Sequence, residues 1–425
     1  MKKVHFMGIA GSGCSGAAAL AKAYGFEVSG CDVELNRKSL PRNLLRSLLF
    51  SSHDPNHLRG VDALIISPAI LSSDPQNSEI KRAEELKIPV FTWQHFVGKF
   101  LQKDKFVIAV CGTHGKSTTT AMVSYVMEKA GFDPTVILGA NVLEWRKNFR
   151  IGKSNYFVIE ADEFNNNFLN YQPDIIALTN IEFDHPEFFA NFSEVLNSFV
   201  NLILQSTKKV ILVADSQDKG VQKLLLRVQD KIHQISTFTK PDNFRLKSNG
   251  KHNLINATIA QNVCLLLGID KQKVKNYLSK FGGLSRRLEK KGKRGETVIF
   301  DDYAHHPSEI NASLSTLREY YPKEIIAVVF QPHLFTRTRV FFKDFVSTFK
   351  SVPVDFIFLT DIFGAREKSG NVSSKDLVEA CHSEKVQYIG GLNEAYKLLR
   401  DKKFDVLVNM GAGDIFKLTQ RLLKN

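Results

Sequence analysis

The chain has 425 residues, is 43% hydrophobic and 24% charged, and sets 57 Lys and Arg against 44 Asp and Glu, for a formal charge of +13. That balance excludes a disordered chain, and no apolar run approaches the roughly 20 residues that a bilayer-spanning helix requires. The length suggests about three domains, each with its own core, and the positive charge favours anionic partners: nucleotides, sugar phosphates or nucleic acid.

The N-terminal segment, MKKVHFMGIAGSG, sets two lysines before a strand that glycines break at once. A secretory signal needs a longer apolar region ahead of its cleavage site, so the expected location is the cytoplasm. Strands are predicted at Val4–Met7, Phe26–Gly30, Val61–Ser67 and Ile88–Phe91, with a helix carrying Ala17, Ala18, Ala19, Leu20 and Ala23 that Gly25 stops. Between the first strand and that helix stand Gly8, Gly11, Gly13 and Gly16. Such glycines allow a tight turn and let a phosphate approach the backbone at a helix N-terminus, and Asp32 follows the second strand where an acid can bond a ribose or base. The spacing is G-x-x-G-x-G rather than the dinucleotide order G-x-G-x-x-G, which favours a nucleotide other than NAD. The alternative is a turn that serves only close helix–strand packing. Cys14, Cys31, Cys111, Cys264 and Cys381 are far apart, with no CxxC pair and no His-rich partner spacing. They read as reduced, partly buried thiols and not as a metal site or disulfide scaffold.

A second alternating series predicts strands at Phe106–Val110, Thr135–Leu138, Tyr156–Glu160, Ile175–Thr179 and Val210–Ala214, with helices around Ser117–Lys129 and Asn253–Leu267. Its first strand runs into Gly112, Thr113, His114, Gly115, Lys116, Ser117 and Thr118, where a helix begins. In a loop of this kind backbone N–H groups wrap phosphates, the lysine reaches the β/γ oxygens and the serine hydroxyl can hold Mg²⁺. The generic pattern asks for a glycine where Val110 stands. Glu160, Asp162 and Glu163 lie just past an apolar strand, hard oxygen donors suited to Mg²⁺ at a sheet edge where open α/β folds bind ligands. Asp184 and His185 follow the next strand.

The third series predicts strands at Thr297–Asp301, Glu324–Phe330, Val354–Thr360 and Val406–Asn409. Asp301, Asp302, Tyr303, His305 and His306 follow the first of these, with Pro307 placed to start a helix; Gln331, His333, Arg337 and Arg339 follow the second. No third zinc ligand stands at usual spacing from the paired histidines. The basic stretch Arg286–Arg294 reads as a solvated turn, and seams fall near Lys103 and Lys291.

Taken together and in order, these segments resemble the Mur ligase family: Gly8–Gly16, Gly112–Ser117, Glu160–Glu163, Thr179–His185, Gly250–Ala257, Asp301–Pro307, Gln331–His333 with Arg337 and Arg339, and Gly411–Asp414. The family's loop is G-T-x-G-K-[ST], which explains Val110. The resemblance implies an α/β chain of three domains in series: a Rossmann-like UDP-sugar-binding domain (1–102), a central P-loop ATPase-type α/β domain (103–290) and a C-terminal Rossmann-like amino-acid-binding domain (291–425). It further implies an ATP- and Mg²⁺-dependent ligase that joins L-alanine to the lactyl carboxylate of UDP-N-acetylmuramate through an acyl phosphate, acting as a monomer or weak homo-oligomer without nucleic acid or membrane. By motif position, Lys116 would hold the β/γ-phosphates, Ser117 with Glu160 a first Mg²⁺ and His185 a second. Asn253, with His252 and Asn256, would meet the adenine, and Asp302 the ribose. Arg287 would reach the transferring phosphate. Tyr303, His305, His333 and Arg337 would line the alanine and acyl-phosphate region, with His305 the expected general base. Gly11, Ser12, Gly13, Ser15, Asp32, Ser67 and Ala69 would hold the UDP part. Leu334 stands where some members have arginine, and Pro68 where serine is common.

Three rivals share parts of this pattern. A ligase that adds a preformed peptide to UDP-N-acetylmuramate in wall recycling shares the ATP motifs, but the Gln331–His333 segment with Arg337 and Arg339 looks like the alanine-adding pattern. A basic P-loop ATPase acting on nucleic acid needs an aromatic or basic tract that is not visible. A nicotinamide oxidoreductase leaves the phosphate loop unexplained.

Overall fold

Each alternating series folds into one sheet with helices on its faces. The computed structural model describes residues 1–37, 40–248, 250–365 and 367–424. The first sheet has β1 (Lys3–Met7), β2 (Glu27–Cys31), β3 (Leu48–Phe50), β4 (Ala63–Ile66) and β5 (Val90–Thr92), all parallel, in the order β3-β2-β1-β4-β5. The second has β6 (Phe106–Cys111), β7 (Thr135–Val142), β8 (Lys147–Arg150), β9 (Tyr156–Glu160), β10 (Ile175–Leu178), β11 (Ile211–Asp215) and β12 (Gln234–Phe238), in the order β12-β11-β10-β6-β9-β7-β8. Only β8 runs antiparallel there. The third has β13 (Glu289–Arg294), β14 (Thr297–Asp302), β15 (Ile326–Phe330), β16 (Phe356–Thr360), β17 (Val386–Gly390) and β18 (Val406–Met410), in the order β13-β14-β18-β15-β16-β17.

The predicted strands are present, with ends shifted by a residue or two in most cases and by up to four at the far end of β7. Five further strands were not predicted: β3, β8, β12, β13 and β17, and all five are sheet edges. An edge strand need bury only part of its surface, so it carries no continuous apolar run. The basic stretch expected to be a solvated turn is in large part β13, paired antiparallel with β14. Its charges suit an edge, where they discourage pairing with another chain. The third sheet therefore begins at Glu289, ahead of the seam expected at residue 291.

The third sheet shows why its strands read as nearly unbroken apolar runs. Val298, Phe300, Val328, Phe330, Ile357, Leu359, Val406 and Val408 face one core, and Ile299, Ala327, Val329, Phe358 and Leu407 face the other. Alternate residues thus bury both faces, as sheets covered by helices require.

The chain divides into two compact units. One comprises Met1–Glu182, Ser193–Asp242 and Asn256–Phe281, with the first two sheets; the other comprises Phe183–Phe192, Asn243–Ile255 and the chain from Gly282, with the third. Within the first unit the helix Ser12–Ala23 joins the two sheets. Its run Ala17–Ala21 is fully buried, and Gly16 packs on Phe149. Tyr24 Oη lies 3.0 Å from Thr135 Oγ1, and Asn148 Nδ2 donates to Ser12 O at 3.0 Å. No helix among the described residues is long and apolar enough to cross a membrane. All five cysteines are buried, more completely than expected.

Two glycines in this unit separate sterics from propensity. A Cβ at Gly98 would strike the Asn170 carbonyl, whereas one at Gly16 would meet Phe149 at 3.5 Å, an ordinary contact. Gly98→Ala is expected to destabilise the chain by about 1–3 kcal/mol, and Gly16→Ala to be neutral or stabilising by up to about 1 kcal/mol. Thermal midpoints of the two variants check this.

Candidate active site

The glycine turn after β1 is tied to the end of β2. Gly8, at φ 81°, donates its N–H to Cys31 O at 2.8 Å, and Ile9 N follows at 3.1 Å. Asp32 completes the turn: Oδ2 accepts from Ala10 N at 2.9 Å and Oδ1 from Glu34 N at 3.0 Å. Asp32 therefore shapes this turn as well as standing beside it. Gly11 precedes the helix that starts at Ser12, where Gly13 and Ser15 form the first turn; Ser15 Oγ donates to Ser12 O. A Cβ on Gly8 would meet Ser67 Cβ at 2.8 Å, so Ser67, just beyond β4, lies against the same turn. Pro68 is the first residue of the helix Pro68–Ser73, which contains Ala69; a helix start tolerates proline, since the missing N–H would be unpaired there anyway.

In the second sheet β6 ends at Cys111 and the loop begins at Gly112, with φ 125°. A Cβ there would strike Thr179 Oγ1 just beyond β10, so the loop hugs the neighbouring strand end. Asn180 latches it: His114 N donates to Asn180 Oδ1 at 2.9 Å, and Asn180 Nδ2 to His114 O at 3.0 Å. Thr113 Oγ1 donates to Glu182 O and accepts from Glu182 N at 2.8 Å. Gly115 (φ 85°) precedes the helix Lys116–Lys129, which holds Ser117 and Thr118 in its first turn, and Asn256 packs against it.

Lys116 Nζ donates to Gly112 O, Thr113 O and both oxygens of Glu163, the nearest at 2.8 Å, with Asp162 Oδ1 3.8 Å away. Burial alone would lower its pKa, but Glu163 and Asp162 raise it instead, so the ammonium stays charged. Ser117 Oγ donates to Glu160 Oε1 at 3.0 Å, and Gly139 N donates to Oε2 at 2.5 Å. Glu160, Asp162 and Glu163 thus surround one lysine, an excess of negative charge made of hard oxygen donors. That donor set fits a magnesium ion, with Ser117 and Glu160 the pair that would hold it.

The second unit gathers the other predicted residues. Beyond β14, Asp302 Oδ1 accepts from Ala304 N at 2.8 Å, and burial raises its carboxyl pKa. Arg286 and Arg287 flank Tyr303, their guanidinium carbons 5.0 and 5.2 Å from its ring centre. Arg287 Nη1 is 3.6 Å from Glu309 Oε1. His306 caps the helix Pro307–Tyr320 in a capping box with Glu309. His305 N donates to Glu309 Oε2 at 3.1 Å, and the His305 ring lies 5.9 Å from that of His333. Burial, with help from Arg337, lowers His305 to about 3. It is a neutral imidazole, and so weak a base is poorly matched to taking a proton from an ammonium, the role expected for it.

Arg337 is 2% exposed and donates to Asp184 Oδ1 at 2.7 Å. Burial works against the Asp184 charge, but Arg337, His185 and His306 hold that carboxyl well below its usual range. His185, at φ 56°, lies 3.4 Å from Glu187 through Nδ1. The Arg337–Asp184 pair fastens the 183–192 segment, which carries His185, to the helix Phe335–Val340. Leu334 is buried, with its N–H on Phe363 O. Of the three residues expected at the adenine, Asn253 donates to Ser248 O within the second unit, while Asn256 belongs to the first. Burial lowers the pKa of His252.

Several residues that the sequence pointed to acquire partners it did not indicate. Glu163 holds Lys116, and Asp184 holds Arg337. Gln331 spans from β15 to the segment after β18, donating to Asp414 Oδ1 and accepting from Ile415 N. Each stood inside a motif, without an indication of its partner.

Three family models match the chain in series: Mur ligase family, catalytic domain, over residues 3–105; Mur ligase middle domain, over 110–249; and Mur ligase, glutamate ligase domain, over 286–413. A protein of Caldicellulosiruptor saccharolyticus named UDP-N-acetylmuramate–L-alanine ligase is 35% identical, the alignment covering 100% of this chain and 98% of that one. Its namesake from Caldanaerobacter subterraneus subsp. tengcongensis is 33% identical over 100% and 97%. The crystal structure of UDP-N-acetylmuramate-alanine ligase from Thermotoga maritima superposes with a TM-score of 0.80 at 25% identity, covering 100% of this chain and 99% of that one. A murein peptide ligase from Psychrobacter arcticus shares the fold, with a TM-score of 0.71 at 20% identity over 100% and 98%.

One carboxyl beside this site sets a pH dependence. Burial raises Asp301 from 3.8 to about 6, against the pull of Arg286, whose Nε is 3.6 Å away. A folded-state pKa above the unfolded one contributes stability that is complete below the unfolded value and lost as pH rises through the folded one. Between about pH 4 and pH 7, wild type should therefore lose on the order of 1–3 kcal/mol relative to Asp301→Asn. Unfolding midpoints at a series of pH values check this, and parallel profiles would contradict it.

Proposed function

The chain belongs to the Mur ligase family, and from that premise we propose that it joins L-alanine to the lactyl carboxylate of UDP-N-acetylmuramate, with ATP converted to ADP and phosphate. One observation carries the reading: a strand–loop–helix with Lys116 charged and Ser117 3.0 Å from the Glu160 carboxylate, in a chain that matches alanine-adding relatives from end to end.

A carboxylate does not accept an amine at neutral pH, because its O⁻ is a poor leaving group. Transfer of the γ-phosphoryl group to the lactyl oxygen makes an acyl phosphate, from which phosphate departs readily. The alanine amine then attacks, and the tetrahedral oxyanion collapses to amide and phosphate. Carboxylate and triphosphate repel each other, so cationic groups must offset that repulsion in a site with little water. Lys116 supplies a fixed positive charge at the loop, and Arg287 a second. Magnesium, held by Ser117 and Glu160 with His185 serving a second ion, would neutralise phosphate charge as the transfer proceeds. Holding the reactants in line can supply on the order of 7–11 kcal/mol.

The glycine turn with Asp32, Ser67 and Ala69 binds the UDP part. His252, Asn253, Asn256 and Asp302 serve the adenosine. Tyr303, His305 and His333 border the alanine. His305, a weak base with its pKa lowered by burial, orients the amine, and the departing phosphate takes the proton shed on attack. Arg337, engaged with Asp184, positions the segment that carries His185. ATP and a UDP-sugar as substrates place this activity in the cytoplasm.

Lys116→Ala is expected to reduce phosphate release by at least about a hundredfold, with circular dichroism reporting whether the helix Lys116–Lys129 that it opens is retained; near-normal turnover would contradict the assignment. Phosphate release with ATP, UDP-N-acetylmuramate and either free alanine or a preformed peptide tests the substrate. Alanine should support turnover and the product gain the mass of one alanine residue; release driven by the peptide alone would favour the recycling reaction.

A further inference from the structure

The first sheet holds a cluster of polar side chains for which the ligation chemistry has no use. His5 lies in the middle of β1, Cys31 ends β2, His57 lies in the turn Pro55–Leu58 and Glu79 in the first turn of the helix Ser78–Glu85. His5 Nε2 is 3.3 Å from Cys31 Sγ and 3.8 Å from Glu79 Oε2, and Cys31 Sγ is 3.2 Å from the same carboxylate oxygen. His57 Nδ1 lies 2.6 Å from Glu79 Oε1. One ligand atom from each of the four lies within 4.8 Å of all the others.

We propose that His5, Cys31, His57 and Glu79 bind one zinc-class divalent ion. Ligands at zinc's usual bond lengths of about 2.0–2.3 Å stand roughly 3.3–3.6 Å apart in a tetrahedron. The three distances among His5, Cys31 and Glu79 bracket that range. Thiolate, imidazole and carboxylate together suit zinc or cobalt and not magnesium. Charge agrees: a divalent ion neutralises one thiolate and one carboxylate, leaving no net charge in a site where His5, Cys31 and Glu79 are fully buried. Among the described residues no lysine or arginine pairs with Glu79, although a buried carboxylate usually has such a partner or a metal.

The surroundings fit as well. His5 Nδ1 is 2.9 Å from Ser29 Oγ, a contact that fixes the ring with Nε2 inward. Met7, Leu58, Leu64, Ile66 and Ile80 form an apolar shell. His57 stacks on Phe50 at 3.7 Å and is the ligand nearest solvent, so an ion enters from its side. His53, with Nδ1 3.1 Å from Cys31 Sγ, stands beside that entrance. On binding, the Cys31 thiol proton passes to solvent as the sulfur–metal bond forms. Cys31 O also holds Gly8 and Ile9, so the ion would brace the glycine turn.

The test uses the full-length chain purified without chelator. Elemental analysis should find one zinc per chain, and cobalt exchanged into the site should give a thiolate-to-cobalt band in the near ultraviolet with visible bands of a tetrahedral ion. Cys31→Ser should lose the near-ultraviolet band while Cys264→Ser keeps it, and His57→Ala should weaken cobalt affinity by at least about tenfold. Should Cys31→Ser fail to fold, the wild-type cobalt spectrum decides alone. A chain that carries no stoichiometric metal and shows no thiolate–cobalt band on titration would overturn the proposal and leave a hydrogen-bonded polar cluster.

Discussion

The close approach of the loop at Gly112 to the end of β10 is the constraint on which the phosphate site depends. No side chain fits at Gly112, because Thr179 and the Asn180 backbone occupy that space, and Asn180 then clasps His114 from both sides. The loop is therefore set before any ligand arrives, and so is the start of the helix that carries Lys116 and Ser117. Preorganisation of this kind lets charge be met by fixed dipoles without reorganisation during reaction.

Electrostatics then divides the labour. The first unit places three carboxylates around a single ammonium, a combination suited to a hard cation and to phosphate together. The second unit keeps its imidazole neutral at His305 and its buried arginine engaged at Asp184, so Arg337 acts on the segment it holds more than on solvent. Burial is the common cause. It suppresses charge on His305, raises Asp301 and Asp302, and is overcome at Lys116 and Asp184 only because an opposite charge stands in contact. Nothing in the structure explains the net charge of +13.

How much of this was legible in the sequence follows from the range of the interactions. Interior strands such as β6, β9 and β15 bury both faces and announce themselves as apolar runs, whereas β8 (KNFR) and β13 (EKKGKR) are edges with no such pattern. The phosphate loop was legible because its parts are consecutive. Glu163 and Lys116 are 47 residues apart, Gln331 and Asp414 83, and Asp184 and Arg337 153, and only the fold pairs them. Cys31 is the sharpest case. Spacing marked it as a solitary thiol, but parallel pairing of β1 with β2 sets it beside His5, 26 residues away.

Activation of a carboxylate by phosphoryl transfer is the central claim, and oxygen labelling tests it most directly. With both lactyl carboxylate oxygens of UDP-N-acetylmuramate labelled with the heavy isotope, turnover in the presence of ATP and alanine should place one labelled oxygen in each inorganic phosphate and leave the other in the amide. Phosphate free of label, released at the rate of amide formation, would contradict passage through an acyl phosphate.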